Sequence, residues 1–206
     1  MTFWKLFDGD TPHVSTAAFH ADRERAPHLE QGVHRPRLDK AAELVTWYRH
    51  HASIGALTVV DLGCGDGGLL SLLARYPREE IEAWGYDFQP SNQQGWTERG
   101  VDGRYADVFA TGDTFHGIEL AELAVMTEVL EHVADPWTVL RRLHAAGVRA
   151  VVASSPATET DHSHCAEHAW AFDEAGYADL FTTSGWEILR HERVGMFQVV
   201  AAEAVR

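Results

Sequence analysis

The stretch Val59-Val60-Asp61-Leu62-Gly63-Cys64-Gly65-Asp66-Gly67-Gly68 constrains this chain more than any other. An apolar, β-branched run passes straight into four glycines within six positions and then into a helix-forming segment. In such a turn, backbone N–H groups and the helix N-terminus can approach a ligand with no Cβ in the way. A tight strand-to-helix turn with incidental glycines is the plainer reading, and the density of glycine after an apolar strand argues against it. Gly63-x-Gly65-x-x-Gly68 also satisfies a dinucleotide fingerprint, which alone is weak evidence.

Three strand-end carboxylates sharpen the choice of ligand. Asp61 sits two residues before the first glycine, where it would repel the phosphates of a dinucleotide and attract a cation. Asp87 ends the next apolar run, the position of a carboxylate that binds ribose hydroxyls. Asp107 ends a third run in the same way. Such a set suits a ribose, an amino group and a sulfonium better than a pyrophosphate.

The rest of the chain alternates strand and helix patterns, the signature of a parallel sheet covered on both faces. Strands are expected at Leu57–Asp61, Ile81–Asp87, Gly103–Asp107, Leu123–Met126 and Val148–Ala153, and helices at Gly68–Tyr76, Pro90–Arg99 and Pro136–Ala146, the last capped by Asp135. A helix over Asp173–Ser184, closed by Gly185, precedes two strands turning at Gly195, an antiparallel hairpin. Residues 1–38, with prolines at 12, 27 and 36, read as an N-terminal arm, and Asp39 as the N-cap of a helix reaching His51 that opens the main domain, 39–206. The arm carries Arg23, Arg25, His28, His34, Arg35 and Arg37. It either closes over the ligand or pairs with an acidic body.

The length of 206 residues fits one domain. Its 31 acidic against 17 basic residues, a net charge of -14, speak against a nucleic-acid partner, which needs many Lys and Arg. Two cysteines, Cys64 and Cys165, supply neither a disulfide framework nor a CxxC metal spacing. With no apolar run of membrane-spanning length and no leader pattern, a cytoplasmic location is expected.

The motif Asp61-Leu62-Gly63-Cys64-Gly65-Asp66-Gly67 resembles the first motif of the class I S-adenosylmethionine (SAM)-dependent methyltransferases. Asp87 in Gly85-Tyr86-Asp87-Phe88, Asp107 in Ala106-Asp107-Val108, and Thr127-Glu128-Val129-Leu130-Glu131-His132 fall where the later motifs belong. The resemblance covers about residues 55–200. It implies a Rossmann-like α/β fold with a seven-stranded, mostly parallel sheet and an antiparallel last strand. It also implies SAM as cofactor, S-adenosyl-L-homocysteine as product and a methyltransferase activity. Gly63 and Gly65 would pack against the methionine part, with Cys64 a small filler in the same loop, and Asp61 would help hold the ammonium group. Asp87 would bind the ribose, Phe88 would lie against the adenine, Asp107 would receive the adenine amino group beside the Val108 backbone, and Thr127 and Glu128 would line the methyl channel.

Glu128, Glu131 and His132 stand at i, i+3 and i+4, one face of a helical turn, and are expected to point into one cleft. Glu131, His132 and the downstream His168 are the candidates for a base or for orienting the acceptor. His168 to Phe172 is read as the start of the next helix. A small-molecule acceptor and a monomer or homodimer are expected. Two alternatives stand beside this reading. A similarity to small-RNA 2′-O-methyltransferases would make Glu128, Glu131, His132 and His168 ligands of a divalent ion, although that family's arginine-rich surroundings are missing from this chain. A SAM-binding module without catalysis is the other.

Overall fold

The computed structural model describes residues 3–10, 12–109 and 121–206. Its centre is a seven-stranded sheet. The strands are β2 (Leu57–Leu62), β3 (Ile81–Asp87), β4 (Gly103–Tyr105), β5 (Leu123–Thr127), β6 (Ala150–Pro156), β8 (Trp186–Val194) and β9 (Phe197–Ala204), in the order β4-β3-β2-β5-β6-β9-β8. From β4 to β6 all pairs are parallel, and β9 runs antiparallel between β6 and β8. The fold class expected from the sequence, including the antiparallel last strand, is therefore the one observed.

Successive strand residues face opposite ways, which builds two cores from the same runs. Val60, Leu62, Ala124 and Met126 pack against α5 (Pro136–Ala145) and α6 (Glu174–Thr182). Leu57, Val59, Leu123 and Val125 pack against α2 (Arg35–His51) and α3 (Gly68–Leu73). Strands buried on both faces read as unbroken apolar runs rather than alternating ones, as Leu123–Met126 does.

From β2 the chain moves outward to β3 and β4, then returns to β5 on the other side of β2. This reversal is a topological switch point, and the crevice beyond the carboxyl ends of β2 and β5 is where ligands bind in such sheets. The glycine loop leaves β2 there and the Glu128 turn leaves β5 there. Local signals fix the flanking helices. The Asp135 carboxylate accepts from Thr138 N–H at 2.9 Å at the start of α5, and Asp173 accepts from Gly176 N–H at 2.8 Å at the start of α6.

Several boundaries differ from expectation. Asp39 is not an N-cap: α2 begins at Arg35, because Pro36 in a first turn removes a donor that has no helical partner anyway. Asp39 lies inside the helix, 3.4 Å from Arg35 one turn earlier. The helix after the glycine loop ends at Leu73, the strand expected over Gly103–Asp107 ends at Tyr105, and β6 runs three residues past Ala153. Trp170–Phe172 is not helical; it forms β7, paired antiparallel with β1 (Phe3–Lys5), so the two ends of the roof over the site are sewn together. Phe3 packs edge-on to Trp137 and Trp170, at 5.0 and 6.2 Å between ring centroids. Among the described residues no helix is long and apolar enough to cross a membrane.

Candidate active site

A cavity of about 410 Å³ opens at the carboxyl ends of the strands. Its floor is the glycine loop. Gly63 has φ +76, and a Cβ there would lie 2.6 Å from a methyl of Val129, so both its conformation and the close approach of the next strand's turn require glycine. Gly63 and Cys64 N–H donate to the Tyr86 carbonyl at 2.8 and 3.0 Å, and Gly65 N–H donates to Asp87 Oδ2 at 2.9 Å. Asp87 Oδ1 accepts from Gln89 N–H at 2.8 Å and Asn92 Nδ2 at 3.0 Å. Three donors thus fix the carboxylate at the cavity edge while lone pairs remain for a ribose diol.

Beneath the floor lie charges without partners. Asp61 is 1% exposed, and neither of its oxygens has a hydrogen bond. Burial above all, and then the Asp87 charge, pushes it up to about 7, against the pull of Arg37. Arg37, fully buried, donates Nη2 to His28 Nδ1 at 3.2 Å and has Nε and Nη1 unpartnered. Burial lowers its pKa, and the charges of Glu128, Glu131 and Asp61 oppose that effect. Among the described residues the two carboxylate oxygens of Glu131 likewise accept no hydrogen bond; burial and then Glu128 raise its carboxyl well above the usual range. A buried unpaired carboxylate is costly. An ammonium group at Asp61 and a carboxylate at Arg37 would complete both, which is what the amino-acid end of the expected cofactor carries.

Glu128 occupies φ +58, a region bulky residues avoid, and strain of this kind gathers at functional sites. Its N–H donates to the Ser154 carbonyl and its Oε1 accepts from Ser154 Oγ, both at 3.1 Å. Beyond it the chain forms an irregular turn rather than a helical one. Glu128 and His132 consequently line the cavity, and Glu131 sits behind its wall, so the expectation that all three face one cleft is corrected.

The 165–172 segment is stitched onto this turn by main chain. Ala169 and Trp170 N–H donate to the Glu131 carbonyl at 2.7 and 3.0 Å, and Trp170 Nε1 donates to the Val133 carbonyl at 3.0 Å. That register brings His168 against His132, their rings 4.7 Å apart and perpendicular. His132 Nδ1 bonds to the Glu167 carbonyl at 2.9 Å, and burial, followed by His168, pushes its pKa down to about 3. One ligand-capable atom each of Glu131, His132 and His168 lie within 4.8 Å of one another; Glu128 is not in that group.

The roof is the arm. Val14, Phe19, His20, Arg23 and His28 reach the cavity. The His20 ring sits 4.5 Å from Phe88, and its Nδ1 bonds to Gln89 Oε1 at 3.2 Å. Arg23 grips Glu167 with two bonds of 2.7 Å. Arg25 and Arg99 converge on the buried Asp66 carboxylate at 3.1 and 2.6 Å, Arg99 also holds Glu30 at 2.7 Å, and Arg25 holds Glu98. The arm thus borders the cavity and pairs with acidic residues of the body in one arrangement.

Of the residues singled out in the sequence, Gly63, Cys64, Gly65, Asp87, Phe88, Thr127, Glu128, His132 and His168 border the cavity. Asp61 and Glu131 lie buried behind it, Val108 belongs to the core, and Asp107 is exposed, accepting from Phe109 N–H at 3.1 Å. Arg37, Asp66, His20 and Glu159 carry no individual role in the sequence pattern. Only Arg37 had a signal, as a basic residue next to a predicted helix start.

Sheet order, glycine loop and switch-point cavity define a Rossmann-like α/β enzyme. A sequence model described as a methyltransferase domain matches residues 21–191, well over half of the chain, and the protein belongs to that family. The resemblance to class I SAM-dependent methyltransferases is thereby borne out at the level of family and fold. An O-methyltransferase family protein from Burkholderia thailandensis superposes with a TM-score of 0.64 at 16% identity, over 83% of this chain and 56% of that one. This chain thus spans just over half the length of that relative. Magnesium protoporphyrin IX methyltransferase from Synechocystis, solved with bound SAM, gives 0.60 at 17% identity over 88% and 86%. The 1,6-didemethyltoxoflavin-N1-methyltransferase of Burkholderia thailandensis gives 0.58 at 18% over 81% and 79%. No curated protein sequence matches the chain.

Proposed function

We propose that this chain holds SAM on the glycine loop and transfers its methyl group to a small molecule enclosed beneath the arm, leaving S-adenosyl-L-homocysteine. The observation that carries the reading is the cover over the site: a cavity of about 410 Å³ bordered by the glycine loop and Asp87 on one side and by Val14, Phe19, His20, Arg23, Glu167 and His168 on the other. A protein or nucleic-acid chain would need an open channel, and the excess of acidic residues repels a polyanion.

The cofactor supplies a methyl group on a cationic sulfur, so the protein's part is chiefly alignment and exclusion of water. Asp87 would take the ribose hydroxyls at the cavity edge, and Asp61 and Arg37, buried just behind the glycine loop, would hold the ammonium group and the carboxylate. Phe88, with His20 across from it, packs on the base. Glu128 and Thr127 border the path of the methyl group, and the arm shields the reacting atoms. Incubating the protein with labelled SAM and fractionated cell extract, followed by mass spectrometry, should show a methylated product below about 1 kDa. Label appearing only in protein or RNA would overturn the assignment of substrate class.

A further inference from the structure

Two of the imidazoles that line the cavity, His132 and His168, meet in unlike surroundings. His132 Nδ1 is tied to a neutral backbone carbonyl, that of Glu167. His168 Nδ1 lies 2.6 Å from Glu159 Oε2, with both side chains 10% exposed. Glu159 is itself pinned, its other oxygen accepting Cys165 N–H at 2.9 Å. A carboxylate can only accept, so Nδ1 of His168 must carry the hydrogen of that bond. In the neutral ring Nε2 then presents a lone pair, and His168 forms part of the cavity wall.

We infer that Glu159 is a positioning residue that fixes His168 as the Nδ1–H tautomer, making His168 the base of the reaction and the acceptor a neutral group that sheds a proton on methylation, as a hydroxyl does. This rests on the methyltransferase reading above. As the acceptor oxygen bonds the methyl carbon, the carbon–sulfur bond breaks and its electron pair stays on sulfur. The hydroxyl proton passes to His168 Nε2, and the resulting imidazolium is held by Glu159. An acceptor without a proton to lose would leave this pair idle. His132 lacks a carboxylate on its Nδ1 and instead packs directly against His168, at right angles to it. The segment carrying Glu159 and His168 folds back on itself through the Thr160 N–H to Ser163 carbonyl bond of 3.0 Å, so the pair is set by a local loop before it meets the cavity.

The test is Glu159→Gln. The Gln oxygen can still accept Cys165 N–H, and its NH₂ then faces Nδ1, which reverses the tautomer of His168. Imidazole ¹⁵N spectra of the SAM-bound protein, with no acceptor present, should move the His168 hydrogen from Nδ1 to Nε2. SAM affinity by calorimetry should stay within about twofold. With the extract fraction that wild type methylates, kcat should fall about 10³-fold with KM little changed, in the range lost with a general base. Glu159→Ala, which frees the ring to take either tautomer, should lose less than Glu159→Gln. An unchanged ¹⁵N pattern, or equal losses in the two variants, would overturn the inference. So would activity abolished by a chelator and restored by Mn²⁺, since an ion would then activate the acceptor in place of the His168 imidazole. Absence of SAM binding in wild type would instead count against the methyltransferase reading, and the spectra of the ligand-free protein would still decide the tautomer.

Discussion

The floor and the roof of the cavity are built in opposite ways. The floor comes from strand ends whose neighbours are fixed by sheet register: Asp61 opposite Gly85 and Val125, and the Glu128 turn tied to Ser154. The roof comes from segments far apart in sequence, held by ion pairs such as Arg23–Glu167 and Arg25–Glu98 and by a three-residue strand pairing. Main-chain ladders within a buried sheet leave little freedom, whereas partly exposed ion pairs contribute about 0.2–1 kcal/mol each. The floor should therefore set affinity for the cofactor, and the roof should set enclosure of the acceptor.

Substitutions on each side can break this division, and the largest expected effect is on the floor. Asp87→Ala removes a carboxylate that can take two ribose hydroxyls, and at about 1.5–3 kcal/mol per charged hydrogen bond SAM affinity should fall about 10³-fold. Calorimetry reads this, and an unchanged dissociation constant would sink the cofactor assignment.

Next is the clamp beneath the roof. Asp66 is 3% exposed and receives two guanidinium groups. Asp66→Ala leaves Arg25 with Glu98 and Arg99 with Glu30 but removes the buried carboxylate they share, and should cost about 2 kcal/mol, a drop of roughly 4–8 °C in unfolding midpoint for a chain of this size. SAM affinity should change far less than in Asp87→Ala. An equal loss in both variants would show that floor and roof are not separable.

A smaller effect is expected from pH. Because the folded pKa of Asp61 is raised to about 7 from 3.8, the native state keeps a proton that the unfolded chain has released. Stability of the ligand-free protein from this group falls as pH climbs from about 4 to 7. A cationic ligand facing Asp61, with Asp87 and Arg37 the other charges beside it, needs the ionised form. SAM affinity should accordingly rise up to tenfold per pH unit towards about 7 and then level off, and Asp61→Asn should flatten that profile. On the other flank, His28 and His132 sit near 3 against 6.5 in the unfolded chain, so the unfolded state takes up more protons and stability is lost as pH falls below about 6.5.

The smallest effect belongs to Arg23→Ala. Arg23 and Glu167 are 38% and 41% exposed, so thermal unfolding should register less than about 1 kcal/mol. The sharper readout is the KM for the acceptor, which should rise while SAM affinity holds. A rise in both would move the arm from the acceptor's side of the cavity to the cofactor's.

The glycine loop, Asp87 and the Glu128–His132 turn were legible because each is a local pattern at a strand end: backbone geometry demands glycine, and hydrogen bonding demands a carboxylate close by in sequence. Strand β7 was not legible. His168-Ala169-Trp170-Ala171-Phe172 looks like a helix start, and only pairing with Phe3–Lys5 makes it extended. Glu159 carried no signal either, because its meaning lies in one contact with His168 inside an irregular loop. The helix start at Arg35 was missed for a milder reason: Pro36 breaks a helix interior and favours a helix beginning, and the sequence does not say which applies.

The sequence by itself determined the class of fold, since alternating apolar periods and turn glycines follow from backbone chemistry that acts over a few residues, and the resemblance of its motifs pointed to the family. Tertiary structure alone decided that Arg37 lies buried among Asp61, Glu128 and Glu131, that the arm is a roof, and that Glu159 meets His168 beside His132. Apart from the Glu159–His168 pair, which spans a single loop, those are long-range juxtapositions of charged and polar groups, and their energies come from burial and mutual distance, which no local pattern encodes.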